Sequence, residues 1–207
     1  MIDKLGITYD DIYKELFDLL NGVQQISEEL CDAIFERSSV LKFDKGEYLS
    51  IEDKECNTLF FVIRGFCSCF YHKDGKECIL DFISPGSFCT SFYGFFGNEK
   101  SLFNIKAIEN TIAIAMSKEN FNELKHESSE FVSFFNRILE IQTSKLEDRL
   151  FRMISNRAEE RVKHYIKTRE IQYLLKHVHQ YSVASYLNMT PETFAKIFGK
   201  LNKEDDI

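Results

Sequence analysis

The chain has 207 residues, a net charge of −7, and 20 Phe and 9 Tyr but no Trp. That length supports one or two buried cores, and the acidic total argues against indiscriminate affinity for nucleic acid. No apolar run approaches the roughly eighteen residues of a bilayer span, and MIDKLGITYDDIYKEL at the N-terminus lacks the apolar region of a secretory signal. The expectation is a soluble, cytoplasmic protein with no membrane partner.

In chain order, residues 8–37 are expected to be helical, with Ile12, Leu16, Leu19 and Leu20 on one face of the first helix. From Leu41 to Ser117 short runs rich in Phe, Ile, Val and Cys alternate with Gly-containing turns: TLFFVIRG, FCSCFYHKDG, CILDFISPG, NIKAIEN and TIAIAMS. This spacing predicts an antiparallel sandwich or barrel, and Asp74-Gly75 predicts a tight hairpin because Gly tolerates positive φ. Ser117 is a fitting N-cap for a short helix, KENFNELKH.

A longer helix is expected from Ser129 to Ser155. Phe131, Phe135, Ile138 or Leu139, Gln142, Leu146, Leu150 and Met153 recur there at three- and four-residue steps. About 27 residues of helix reach some 40 Å. Such a helix either packs along a sandwich as core or pairs with a copy of itself, and its length favours the dimer seam. Residues 157–201 then predict three compact helices, over 157–169, 181–187 and 190–201, the last two forming a helix–turn–helix.

The six cysteines at 31, 56, 67, 69, 78 and 89 form no CxxC pair and have no companion histidine cluster. Reduced, mostly buried thiols are expected, and neither metal nor cofactor. Charge is uneven along the chain. Residues 151–207 hold 10 Lys/Arg against 7 Asp/Glu, a net of +3, so the acidity comes from the first 150 residues.

In NMTPETFAKIFGKL, Thr190 can cap the helix, Pro191 suits its first position and Glu192 complements its dipole. Phe194, Ile197, Phe198 and Leu201 make one apolar face; Glu192, Thr193, Lys196, Gly199, Lys200 and Lys203 lie opposite. Lys can donate to guanine, Glu can accept from cytosine N4, and Thr serves several base edges, whereas Lys200 and Lys203 suit phosphates. The same pattern also describes a solvated amphipathic helix.

QYSVASYLNMTPETFAKIFGKL resembles the C-terminal helix–turn–helix of Crp/Fnr-type transcriptional regulators, with Glu192 at the family's Glu and Lys196 at its Arg. FFVIRGFCSCFYHKDGKE and DGKECILDFISPGSF resemble the cyclic-nucleotide-binding β-roll of that family, and KFDKGEYL, the long helix and AEERVKHYIK follow in the same order. The resemblance spans about residues 20–201. It implies an α+β fold: an antiparallel, jelly-roll-like β-roll with flanking helices (1–127), a dimerisation helix (128–156) and a winged-helix-like DNA-binding domain (157–207) with a short or absent wing. It also implies base contacts from Glu192, Thr193 and Lys196, backbone contacts from Gln180, Ser182, Lys200 and Lys203, and a place for Thr190 among the DNA-binding residues. The seam would use Phe131, Phe135, Ile138, Leu139, Gln142, Leu146 and Leu150. The implied partners are a palindromic double-stranded operator, a second copy of the chain and RNA polymerase.

Departures from the family pattern sharpen the expectation. The cassette positions that hold ribose and cyclic phosphate in nucleotide binders fall on Ser91 and Ser101, and a buried phosphate without a cationic fork loses its strongest bonds. Binding of cAMP in the usual way is therefore not expected, and the ligand is left unknown. SFYGFFGN suits an apolar pocket. Lys196 lacks the planar fork of Arg, and Gly199 weakens the helix. An enzyme of cupin type would need several His converging on a metal, whereas the β region has only His72. The remaining rival is a degenerate ligand- or protein-binding dimer that no longer engages DNA, favoured by Glu204, Asp205 and Asp206 behind Lys203.

Overall fold

A computed structural model describes residues 8–204, with the side chains of 203 and 204 outside the description. The chain divides into two compact units, 1–71 with 82–141, and 72–81 with 142–207.

The first unit opens with helices α1 (Tyr9–Val23) and α2 (Glu28–Glu36). Thr8 caps α1 in a full capping box with Asp11, and Ile12, Leu16 and Leu20 are buried along its expected face. Ser27 caps α2, and its own N–H and hydroxyl bond the carboxylate of Glu130 at 2.8 and 2.7 Å. Eight strands follow: β1 (Ser38–Phe43), β2 (Tyr48–Ser50), β3 (Thr58–Arg64), β4 (Cys67–Lys73), β5 (Lys76–Ile83), β6 (Phe88–Cys89), β7 (Asn104–Ala107) and β8 (Thr111–Ser117). Helix α3 (Phe92–Gly97) interrupts them between β6 and β7.

The strands make two four-stranded sheets, ordered β1-β8-β3-β6 and β2-β7-β4-β5. The named pairs β1·β8, β3·β8, β3·β6, β2·β7 and β4·β7 are antiparallel. Strand β8 lies centrally and reads TIAIAMS, so its alternate residues serve two cores. Ala113 and Ala115 join Val62, Cys67, Cys69, Cys89 and Ile105 in the roll interior. Ile112, Ile114 and Met116 face the helices with Phe61, Leu16, Phe121 and Phe134.

Gly65 between β3 and β4 has φ +91°, and a Cβ there would lie 2.5 Å from the Asn110 carbonyl oxygen and the Thr111 hydroxyl. Asp74 and Gly75 both have positive φ, as the expected primed hairpin turn requires. Five of the six cysteines are buried and all six are free thiols. Burial pushes Cys67 up to about 11 and Cys89 well above the ordinary thiol range.

Ser117 caps α4 (Lys118–Glu127), and α5 then runs from Ser129 to Ser155, the expected bounds. The first half of α5 corrects the sequence reading. Phe131, Phe135 and Ile138 are buried in the core of their own chain, against α4 and the helix-facing sheet, and offer little surface to a seam. Phe134, absent from the expected stripe, is fully buried beside them.

The second unit holds the β4–β5 tip, the rest of α5, and four further helices where three were expected: α6 (Ala158–Lys167), α7 (Glu170–Leu174), α8 (Gln180–Tyr186) and α9 (Pro191–Glu204). Helix α6 covers most of the expected 157–169 helix; Arg169, at φ 60°, then starts α7 in residues for which no helix was expected. Buried Val162, Tyr165, Ile171, Leu174, Val183, Leu187, Phe194 and Leu201 supply the apolar core of these helices.

Candidate nucleic-acid interface and cassette

The turn between α8 and α9 is built by backbone geometry. Asn188 adopts the left-handed region at φ 52°, and the Met189 N–H returns to the Ala184 carbonyl at 3.0 Å. Thr190 then caps α9, its hydroxyl oxygen accepting from the Thr193 N–H at 3.2 Å. Sequence reasoning placed this turn and cap correctly.

It missed the side chain that holds the turn in place. Arg161 on α6 is 8 % exposed and spends its guanidinium on three backbone carbonyls: Leu187 at 3.0 Å, Asn188 at 3.2 Å and Asn156 at 2.8 Å. Carbonyls at the end of α8 would otherwise be left without partners. A second arginine, Arg149 on α5, sits 4.0 Å from the centre of the Tyr186 ring, donates to the Tyr186 carbonyl at 3.1 Å, and bonds the Leu80 carbonyl at the hairpin tip. The tip also docks through the Ile79 N–H, 2.9 Å from the Ser185 hydroxyl. Tyr186 gives its phenolic proton to Glu170 at 2.9 Å. Burial nevertheless raises the Glu170 carboxyl above its ordinary value.

On this frame α9 buries Phe194 and Leu201, half-buries Ile197 and Phe198, and leaves Glu192, Lys196 and Lys200 exposed. Thr190 and Gln180 are exposed; Thr193 and Ser182 are half-buried. The structure therefore places Gln180 and Ser182 in the first turn of α8, Thr190, Glu192 and Thr193 at the start of α9, and Lys196 and Lys200 further along α9. Bonds from its own N–H and from Thr190 hold the Glu192 carboxyl below the usual range, so it is an acceptor at neutral pH. No described residue pairs with Lys196. Lys200, expected on phosphates, instead lies 2.9 Å from Glu159, an exposed pair that salt screens. The side chain of Lys203 lies outside the described residues. Tyr181, 60 % exposed and stacked on His179 beside Gln180, was not singled out from the sequence, where an aromatic beside a cap carries no distinct signal.

The later part of α5 carries the other surface. Leu146, Leu150, Phe151 and Ile154 are 67, 58, 63 and 78 % exposed. Of the expected seam residues, Leu146 and Leu150 are open, whereas Leu139 and Gln142 are half-buried.

The cassette is closed on itself. Ser91 caps α3, its hydroxyl accepting from the Gly94 and Leu102 N–H groups at 3.3 and 3.4 Å, with no surface exposed. Ser101 is 1 % exposed and donates to the Phe103 carbonyl at 2.7 Å. Both are hydrogen-bonded into the fold rather than offered to a ligand. Gly94 packs so tightly that an added Cβ would fall 2.7 Å from the Cys56 Cβ. Lys118 bonds the Phe95 carbonyl and, at 2.6 Å, Asn98, so the last turn of α3 is satisfied from within the chain. Lys100, the nearest cation in sequence, is exposed. These residues do not fit a cyclic phosphate, which needs a cationic fork at the buried position Ser101 occupies.

Among the described residues no group of three His, Cys, Asp or Glu is placed to hold a metal ion, and no helix is long and apolar enough to cross a membrane. A search of curated protein sequences returns no match. Among solved structures, the chain is similar to a CooA mutant from Carboxydothermus hydrogenoformans, at 17 % identity and a TM-score of 0.69 over 91 % of this chain and 84 % of that one. It is also similar to the c-di-GMP-responsive global regulator CLP of Xanthomonas campestris, at 15 % identity and 0.67 over 86 % and 93 %. FixK2 from Bradyrhizobium japonicum matches at 17 % identity and 0.63, over 81 % and 86 %. The cyclic nucleotide-binding domain family matches residues 40–128, and the chain shares its α+β fold, a β-roll followed by a helical C-terminal region, with regulators of the Crp/Fnr family.

Proposed function

We propose that this chain is a DNA-binding transcription regulator of the Crp/Fnr type that acts as a homodimer and takes its signal elsewhere than in the nucleotide cassette. The observation that carries the reading is the α9 surface: a capped helix, braced by Arg161, presenting an ionised Glu192, a half-buried Thr193 and an unpaired Lys196 along one side. Those groups match the acceptors and donors of base edges in a major groove. Gln180, Ser182, Thr190 and Lys200 are the backbone contacts of the proposal, with Lys203 beyond them. Exchange of the Glu159 partner of Lys200 for a phosphate costs little, because that pair is exposed.

Dimerisation rests on the apolar stripe of Leu146, Leu150 and Ile154, spaced at i, i+4 and i+8, with Phe151 alongside. Such a stripe on a helix is the pattern of a pairing surface. Two copies paired there would present two recognition helices to half-sites about 34 Å apart, one turn of DNA. RNA polymerase is the further partner that an activator of this kind would need.

The rival is a dimer whose helix–turn–helix no longer reads DNA, favoured by Glu204, Asp205 and Asp206 behind Lys203 and opposed by the net charge of +3 over residues 151–207. Selection of bound fragments from a genomic DNA pool at two salt concentrations separates the two. A palindromic site that is enriched by the wild type and lost with Lys196→Ala supports the regulator. Weak, sequence-independent binding that fades between about 50 and 200 mM salt supports the rival.

A further inference from the structure

The first unit contains a groove of about 230 Å³ where α3, α4 and the start of α5 meet. Its walls are the rings of Phe96, Phe121, Phe131 and Phe135, joined by edge-to-face, tilted and stacked contacts with centroids 4.7 to 6.1 Å apart. Val132 and Leu139 complete the apolar lining, and Lys125 and Asn136 stand at the rim. The groove uses none of the cassette residues Ser91 and Ser101.

Three observations define what it can take. Phe96 is 44 % exposed although its ring packs against buried Phe95, Phe121 and Phe135, so the groove is open at the α3 end. Neither Lys125 nor Asn136 bonds another described side chain. Lys125 lies in the last turn of α4, where its charge complements the helix dipole without spending its N–H donors. Lys125 is also the only charged residue in the lining, so an occupant that buries itself here meets one cation and no anion. On scale, an apolar cavity of about 150 Å³ takes a benzene ring, so this volume admits a ring with a short chain. A protein partner would need some 20 to 30 residues a side, and this lining has eight.

We propose that the groove is a binding site for a small apolar monocarboxylate of about a dozen heavy atoms, its body among the phenylalanine rings and its carboxylate on Lys125 and Asn136. This is a site separate from the cassette, and its existence does not depend on whether α9 binds DNA.

The test is calorimetric titration of the full chain with 4-phenylbutyrate, beside the uncharged 4-phenyl-1-butanol. The acid is expected to bind with a Kd of about 0.1 mM, the range a dozen heavy atoms sustain, and the alcohol about threefold to fivefold more weakly, as for one rim charge. Lys125→Gln should remove that difference. Val132→Trp, at a half-buried position, should fill the groove and weaken both ligands at least tenfold, with circular dichroism reporting that the variant is folded. Equal affinity of acid and alcohol in the wild type overturns the proposal. So does undiminished binding in a folded Val132→Trp, which would put the ligand elsewhere. No binding to the wild type, together with a lower sedimentation coefficient for Val132→Trp, overturns it in favour of an interface between copies.

Discussion

Helices α3 and α9 begin in the same way, each with a hydroxyl side chain capping a free N–H, yet they end in opposite chemistry. At α3 the cap is sealed: Ser91 has no exposed surface, Gly94 lies against Cys56, and Lys118 ties off the last turn. At α9 the cap is at the surface, and the side chains after it, Glu192 and Lys196, face outward. A family element can thus persist as architecture once its polar groups are satisfied from within. Where the same groups are left for an outside partner, the element still has something to recognise. The contrast is one of hydrogen-bond bookkeeping, and similarity of fold does not reveal it.

The largest expected effect that would break this contrast is at Arg161. Arg161→Ala leaves three carbonyls without donors and should cost about 3 kcal/mol, lowering Tm by some 6–10 °C in differential scanning calorimetry. A neutral result would mean that the α8–α9 turn does not need its brace. Next is Lys196→Ala, expected to cut affinity for a selected site about 10- to 100-fold while leaving weak sequence-independent binding in place, by fluorescence anisotropy. Equal loss on all sequences would reassign Lys196 to phosphate contact. Gly94→Ala probes the sealed cassette: with Cys56 at 2.7 Å it should destabilise by about 1–3 kcal/mol, read by urea titration.

Glu170→Gln sharpens the account of the helical unit and has a defined sign. The Glu170 carboxyl is raised from 4.5 in the fold. Its contribution is therefore complete below the unfolded pKa and is lost as pH rises through the folded value. The amide keeps an acceptor for the Tyr186 hydroxyl and removes the buried charge. Tm should rise by about 1–3 °C at pH 7.5 and be unchanged near pH 4, and a fall at pH 7.5 would contradict the burial argument. The smallest effect expected is from cyclic AMP. At 1 mM it should leave Tm unchanged, whereas a site with a Kd near 10 μM would add about 2.7 kcal/mol and reopen the cassette.

Much of the fold was legible because it rests on local signals. The strands between Leu41 and Ser117, the Asp74-Gly75 hairpin, the Ser117 cap, the limits of α5 and the Thr190 cap all follow from periodicity and turn chemistry. What was not legible depends on direction. Periodicity put Phe131, Phe135 and Ile138 in one stripe with Leu146 and Leu150, because a stripe reads alike whether it meets its own sheet or another chain. Only burial divides them, at 3–6 % exposed against 58 % or more. Helix α7 was missed because its five residues are too short a run to show a helical period, and the left-handed Arg169 that starts it carries no signal in residue type. The brace from Arg161 was hidden because a buried arginine in AEERVKHYIK looks like any solvated one. The inward aim of Ser91 and Ser101 lies beyond what residue type alone can say, although the lack of a cation at their positions was plain.

The cysteines of the roll have a consequence for how the protein can be handled and watched. Cys56, Cys67, Cys69 and Cys89 are buried in the first unit, while Cys78, on the hairpin tip, is half-exposed. A thiol reagent therefore meets one cysteine quickly and the others only when the sheets or helices part. The time course of labelling becomes a clock for local opening. Its slow phase reports the first unit, buried Cys31 on α2 included, since no cysteine follows residue 89 in the sequence. The helical unit contributes only the tip, so one chemical probe resolves the motions of the two halves without any introduced label.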